Sequence, residues 1–103
     1  MSSRFFEKSV QVDKGIQGCE QDNRFEIEYY LLESEMNDSD QGVLQKTYGI
    51  EITKKMNDGF TENKRIEGIY TSKRKVQELI SLLAANSVTP LSLPYILDDI
   101  LGA

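Results

Sequence analysis

The most informative chemical feature of this sequence is that it has no histidine among its 103 residues. Histidine is the commonest general base and the commonest transition-metal ligand in proteins. Cys19 is the single cysteine, so the chain cannot assemble a zinc site from the usual Cys and His ligands. Nucleophilic arrangements that pair Ser or Cys with His are excluded for the same reason. We therefore predict no catalytic, cofactor-binding or metal-binding residue and a protein that is not an enzyme.

Carboxylates are numerous, but none of their spacings favours catalysis or a metal site. Asp98 and Asp99 are adjacent in a segment with a helical pattern, and adjacent helical side chains diverge by about 100°. The acidic segment 37–42 is similar to a calcium-binding loop, but the alignment places Tyr48 where a bidentate glutamate is required. We therefore expect no dedicated calcium site in this segment.

Three consecutive cations, Lys73, Arg74 and Lys75, form the strongest candidate for a charged contact. They fall in the first turn of a predicted helix, where the helix macrodipole disfavours positive charge. Two further basic pairs flank the preceding hairpin, at residues 54–55 and 64–65. Ordinary solvated charges are the simpler account of this basic cluster; the alternative is that it contacts an anion or an acidic partner.

The overall charge argues against several classes of partner. Asp and Glu number 17 and Lys and Arg number 12, so the formal net charge is −5. General nucleic-acid binding requires an excess of cations on one face, and we predict no such binding. No apolar run approaches the roughly 18 residues that span a bilayer, and residues 1–7 lack the apolar stretch of a secretory signal. We therefore expect no membrane partner and a cytoplasmic location.

The elements that must position these residues begin with a series of β-strands. Apolar and polar residues alternate with period two, which is typical of half-buried strands, over residues 5–12, 24–36, 43–56 and 61–70. The first run is the weakest, so three-stranded and four-stranded antiparallel meanders are both compatible with the pattern. Gly49, inside the third run, indicates a bulge, a bend or a large side chain lying over it.

After Ser72 the pattern changes to helical spacing. Ser72 is a good N-cap, and the residues that follow carry an apolar stripe formed by Val76, Leu79, Ile80 and Leu83. Asn86 is a suitable C-terminal stop. We therefore predict a first helix that begins at about residue 73.

A second helix start is indicated by Thr89 and Pro90, because proline is favoured at the first helical position. Pro94 would remove a backbone hydrogen bond from a helix that began at Pro90. One arrangement is a single tight turn followed by a helix that begins near Ser92 or Leu93, and we favour it. The other arrangement is one continuous helix that bends at Pro94.

The last helix carries a second apolar stripe, which includes Leu93, Ile96, Leu97 and Ile100. A terminal helix this apolar is either buried within its own domain or packed on another chain. Burial within the domain is the simpler expectation. The alternative is that these four residues form an interface.

Together these patterns predict one α+β domain over residues 1–103, with strands over about 5–71 and helices over about 73–101 packed on one face of an antiparallel meander. The first functional hypothesis is a non-enzymatic module that binds a protein partner or forms a homodimer, through an edge strand or the last helix. The alternative is a small-ligand or anion-binding domain with a cleft between sheet and helix. That cleft would use the basic cluster together with Tyr29, Tyr48 or Tyr70.

Several segments, in order, resemble a family of short proteins of unknown function from Gram-positive, spore-forming bacteria. The segments that carry the resemblance are residues 48–52, 76–80, 86–90 and 96–99, of which Val88-Thr89-Pro90 with the later acidic pair is the most specific. The resemblance spans about Phe25 to Leu101, and Pro94 departs from the usual pattern. It implies a bacterial, cytoplasmic protein, and it transfers no catalytic residue and no cofactor.

Overall fold

A computed structural model describes residues 2–13, 24–38, 43–57 and 59–101. Four strands come first along the chain, followed by two helices. The strands are β1 (Ser2–Asp13), β2 (Arg24–Asp38), β3 (Val43–Met56) and β4 (Thr61–Tyr70), and the helices are α1 (Lys73–Ala85) and α2 (Leu93–Ile100). The predicted α+β class is confirmed.

The four strands form one antiparallel sheet in the order β1-β2-β3-β4. β1 pairs along β2, for example with Val10 opposite Ile27. The first run of alternating residues therefore belongs to the sheet, and the four-stranded meander is the correct alternative. β1 and β4 are the two edges of the sheet.

Both edge pairings contain an irregularity. The β1–β2 register shifts between Phe6 and Lys8, and the β3–β4 register shifts between Tyr48 and Ile50. In β4 the backbone of Gly68 has a positive φ of 66°, which glycine adopts without steric cost. Such bulges increase local twist and disfavour pairing of an edge with another chain.

Gly49 explains the close approach of β4 to β3 at the second irregularity. A Cβ atom at residue 49 would lie 2.8 Å from the Cα of Glu67 and would collide with the carbonyl oxygen of Ile66. The bulge expected at this glycine is present in the pairing with β4, but the group that lies over Gly49 is neighbouring backbone rather than a large side chain.

The hydrophobic core lies between one face of the sheet and the helices. Because strand side chains alternate between faces, Ile27, Tyr29 and Leu31 of β2 all point toward the helices. The other buried members are Ile50, Ile52, Val76, Leu79, Ile80, Leu83, Ala84, Val88, Leu93 and Leu97. Burying each large apolar side chain contributes about 1.5–3 kcal/mol, so this layer holds the helices on the sheet.

The helix boundaries follow the expected caps. The Ser72 hydroxyl accepts a hydrogen bond from the backbone N–H of Lys75. Asn86 caps the C-terminal end of α1, and its backbone N–H contacts carbonyls of the last turn. The backbone N–H groups of Ser92 and Leu93 both donate to the carbonyl of Thr89. α2 then begins at Leu93. A single turn followed by a separate helix is therefore correct, and a continuous bent helix is not formed.

Candidate functional site

The basic first turn of α1, formed by Lys73, Arg74 and Lys75, is exposed to solvent. The Lys73 ammonium lies 5.8 Å from the centre of the Phe5 ring on β1. The Lys75 ammonium lies 5.7 Å from the centre of the Tyr70 ring on β4. The two lysines are thus directed toward opposite edges of the sheet. Arg74 instead forms an exposed ion pair with a glutamate one turn later, 3.3 Å away.

The three cationic groups therefore do not converge on one point. A phosphate-sized site needs several donors directed at the same few oxygen atoms. Three of the four cations in the two basic pairs predicted to lie nearby have contacts elsewhere on the sheet. Lys54 lies 4.4 Å from the centre of the Phe25 ring, Lys55 forms an ion pair with Glu28, and Arg65 forms an ion pair with Glu67.

The predicted cleft between sheet and helix is filled by side chains of the core. Tyr29 is fully buried there, and its hydroxyl donates a 2.9 Å hydrogen bond to the carbonyl oxygen of Val88. Burial raises the pKa of Tyr29 to about 12. An open depression of about 660 Å³ lies where β1 ends and β2 begins, and its lining includes Gln11, Glu26 and Lys55. The contacts of Tyr29 that the structure shows are thus with the core of its own domain.

The four candidate interface residues of α2 divide into two groups. Leu93 and Leu97 are buried in the core of their own domain, and Ile96 packs against that core with partial exposure. Ile100 keeps 41% of its surface exposed, and the following residue, Leu101, keeps 44%. Of the four candidate residues, Ile100 is thus the most accessible to another molecule.

Further exposed apolar side chains occur on α2, in the turn before it and on α1. Tyr95 on α2 is 75% exposed, Leu91 in the preceding turn is 71% exposed, and Leu82 on α1 is also exposed. Leu82 is not one of the predicted site residues. It lies outside the apolar stripe of α1, and this position agrees with its exposure. We call Ile100 and Leu101 the outer end of α2.

The sheet face opposite the helices carries a cluster that sequence reasoning missed. Glu51 on β3 is buried, and its carboxylate lies 3.4 Å from the guanidinium of Arg4 on β1. The same guanidinium lies 4.3 Å from the centre of the Tyr30 ring. Phe6 contacts that ring edge-on at 5.7 Å between centroids. These residues come from three strands, so no local spacing predicts the cluster.

A second carboxylate on this face, Glu28, is held by two donors. Lys55 forms an ion pair with it, and the Tyr30 hydroxyl donates a 2.5 Å hydrogen bond to its other oxygen. These hydrogen bonds from Lys55 and Tyr30 lower the pKa of Glu28, and they raise the pKa of Lys55 and of Tyr30. A carboxylate stabilised in its ionised form is suited to a structural ion pair rather than to proton transfer near neutral pH.

Within the described ranges, no three His, Cys, Asp or Glu residues are grouped closely enough to hold a metal ion. The acidic segment 37–42 lies partly outside those ranges, and Cys19 lies wholly outside them. No helix in the described part of the chain is long and apolar enough to cross a membrane.

Comparisons with known proteins place the chain in a family without giving it an activity. Neither the curated proteins nor the solved structures contain a match. A family model matches residues 10–103, so the similarity begins earlier than the expected Phe25 and includes the last third of β1. The bacterial group expected from the resemblance stays a prediction. Because the match covers all but the first nine residues, the chain belongs to the family of unknown function DUF6514.

Proposed function

We propose that this domain is a non-enzymatic protein-interaction module whose contact surface is the outer end of α2. The observation that carries the proposal is the change in exposure along one apolar stripe. Leu93 and Leu97 are buried, whereas Leu101, one helical repeat further on, is 44% exposed. Ile100 beside it is exposed to a similar degree. The stripe that packs in the core thus continues beyond the area that the domain itself covers.

Tyr95 on α2 and Leu91 in the turn before it are among the most exposed large apolar residues of the described chain. Aromatic side chains such as Tyr95 also contribute disproportionately to the energy of protein interfaces.

The edge strands are weaker candidates for this role. Both edge pairings are bulged, and β4 carries a run of charged side chains that includes Lys64, Arg65 and Glu67. Bulges and charges are the devices by which proteins prevent edge-to-edge pairing. An interface on α2 requires no opening of the sheet.

The proposal is tested by Ile100→Asp, with Phe6→Asp as the matched control. Both changes place a carboxylate at an exposed apolar position, but Phe6 lies on the opposite face of the sheet. Tagged wild type and both variants are checked for folding by urea unfolding and incubated with extract of the source cell. Bound proteins are then quantified by mass spectrometry.

We expect Ile100→Asp to lose a partner that wild type and Phe6→Asp both retain. If all three proteins capture the same set at the same level, and all three sediment as monomers, the outer end of α2 is not an interaction surface.

A further inference from the structure

We infer that one partner of the outer end of α2 is a second copy of this chain, which docks it against the basic first turn of α1. This inference rests on the proposed function, because it assigns an occupant to the same surface. The argument comes from charge complementarity between two exposed surfaces of one molecule.

The apolar outer end of α2 has an exclusively acidic border within the helix. Asp98 and Asp99 immediately precede Ile100 and Leu101, and both are exposed. The last turn of α2 carries no basic residue, and neither aspartate has an ion-pair partner among the described residues. A partner that covers Ile100 and Leu101 therefore approaches two carboxylates in the same helical turn, which favours a positively charged partner.

The first turn of α1 offers such a surface. It contains Lys73, Arg74 and Lys75 without any acidic residue in that turn. Phe5, which is 45% exposed, lies beside the Lys73 ammonium. This surface thus combines apolar area with positive charge, whereas the outer end of α2 combines apolar area with neighbouring negative charge.

The local energetics of both helix ends favour this pairing. The C-terminal end of a helix carries partial negative charge and the N-terminal end carries partial positive charge. Carboxylates near the end of α2 and cations at the start of α1 therefore oppose the dipoles of their own helices. Contact between the two surfaces places each set of charges next to charges of opposite sign. The spread of the three cations, which does not suit a phosphate, is compatible with contact along a helix end.

A reciprocal dimer uses both contacts at once. The outer end of α2 from each copy meets the first turn of α1 in the other copy, which gives the closed two-fold symmetry common in homodimers. The net charge of −5 repels two copies at long range. At physiological salt the Debye length is about 8 Å, so that repulsion is screened while close pairs between the two surfaces persist.

The test is a charge swap followed by sedimentation equilibrium of the full chain at physiological salt. One double variant combines Lys73→Glu with Lys75→Glu, and the other combines Asp98→Lys with Asp99→Lys. A control double variant, Lys54→Glu with Lys64→Glu, makes the same change in net charge at two cations that lie outside α1 and α2. Folding of each protein is verified by urea unfolding before sedimentation.

We expect wild type and the control to form a dimer, and each charge-swapped variant alone to dissociate with a Kd raised at least about tenfold, since attraction becomes repulsion at both contacts. An equimolar mixture of the two swapped variants is expected to regain the dimer, because opposite charges then meet again. A merely structural effect of the substitutions would not be rescued by mixing.

A wild-type chain that stays monomeric at about 0.5 mM, well above the micromolar Kd range of ordinary weak complexes, overturns the inference. So does a mixture that fails to regain the dimer. Neither result removes the proposed function, which fails only if Ile100→Asp also retains every partner captured from the cell extract.

Discussion

The buried hydroxyl of Tyr29 gives a prediction that can be worked through in magnitude. Tyr29→Phe removes one hydroxyl group and keeps the ring, so it leaves no sizeable cavity. The carbonyl of Val88, which is itself buried, loses a 2.9 Å hydrogen bond. Leaving a buried acceptor without its donor costs about 1–3 kcal/mol. We therefore expect the free energy of unfolding at pH 8 to fall by that amount.

The same substitution changes how stability depends on pH. The pKa of Tyr29 is raised from 10.0 to about 12 in the folded protein, so the folded state holds this proton more tightly than the unfolded chain does. The associated stability is fully present below pH 10 and is lost as the pH rises toward 12. A shift of two pKa units corresponds to about 3 kcal/mol. Because phenylalanine does not ionise, the wild-type and Tyr29→Phe stability curves are expected to converge or cross in that window.

Urea unfolding at pH 8, 10 and 11.5, followed by circular dichroism, measures both effects. Tyr95→Phe is the matched control, because Tyr95 is 75% exposed and the change is expected to stay within about 0.5 kcal/mol. If Tyr29→Phe equals wild type at pH 8, the hydrogen bond to Val88 does not stabilise the turn between the helices. If the difference between the two proteins is constant from pH 8 to 11.5, the assignment of the raised pKa to Tyr29 is wrong.

Three further predictions concern the sheet. Gly49→Ala is expected to destabilise the protein by about 1–3 kcal/mol, because the added methyl group collides with β4. Gly68→Asn should cost less than about 1 kcal/mol, because asparagine tolerates a positive φ and the space around Gly68 is open. Thermal and urea unfolding measure the two effects. Arg4→Ala is expected to lower the free energy of unfolding in urea by about 1–3 kcal/mol, because it leaves the Glu51 carboxylate buried without its cation. A variant as stable as wild type would show that water replaces the guanidinium. The pKa of Glu28 is lowered from its ordinary value of 4.5 in the folded protein. The stability that this contributes is present above pH 4.5 and is lost as the pH falls below that value. Glu28→Gln should therefore flatten the acid side of a curve of unfolding free energy against pH.

The main elements of the fold could be predicted from sequence because each is encoded locally. Period-two alternation marks the strands, and Ser72 and Asn86 mark the ends of α1. The short turn before α2 is favoured by two prolines four residues apart, because in a helix that began at Pro90 the residue Pro94 would lack a backbone hydrogen bond and its ring would crowd the carbonyl of Pro90. The pattern of β1 alone does not decide whether it joins the sheet, since its alternation is interrupted where the register shifts between Phe6 and Lys8.

The candidate sites could be predicted only in part, because their chemistry depends on contacts between distant residues. The spacing of Lys73, Arg74 and Lys75 correctly places three cations in one helical turn. Their separation toward Phe5 and Tyr70 depends on where the edges of the sheet lie beneath α1. The pairing of Arg4 with Glu51 spans 47 positions and depends on a register that includes a bulge, so no sequence pattern indicates it.

The stripe on α2 shows most clearly why the remaining information is tertiary. Helical periodicity treats Leu93, Leu97 and Leu101 as equivalent, because each lies one repeat after the last. The structure separates them, since the first two face the core and the third lies beyond it. The boundary is set by the extent of the sheet and α1, which a one-dimensional pattern does not contain. A hydrophobic stripe longer than the core that receives it is therefore where an interaction surface should be sought in a domain without recognisable catalytic chemistry.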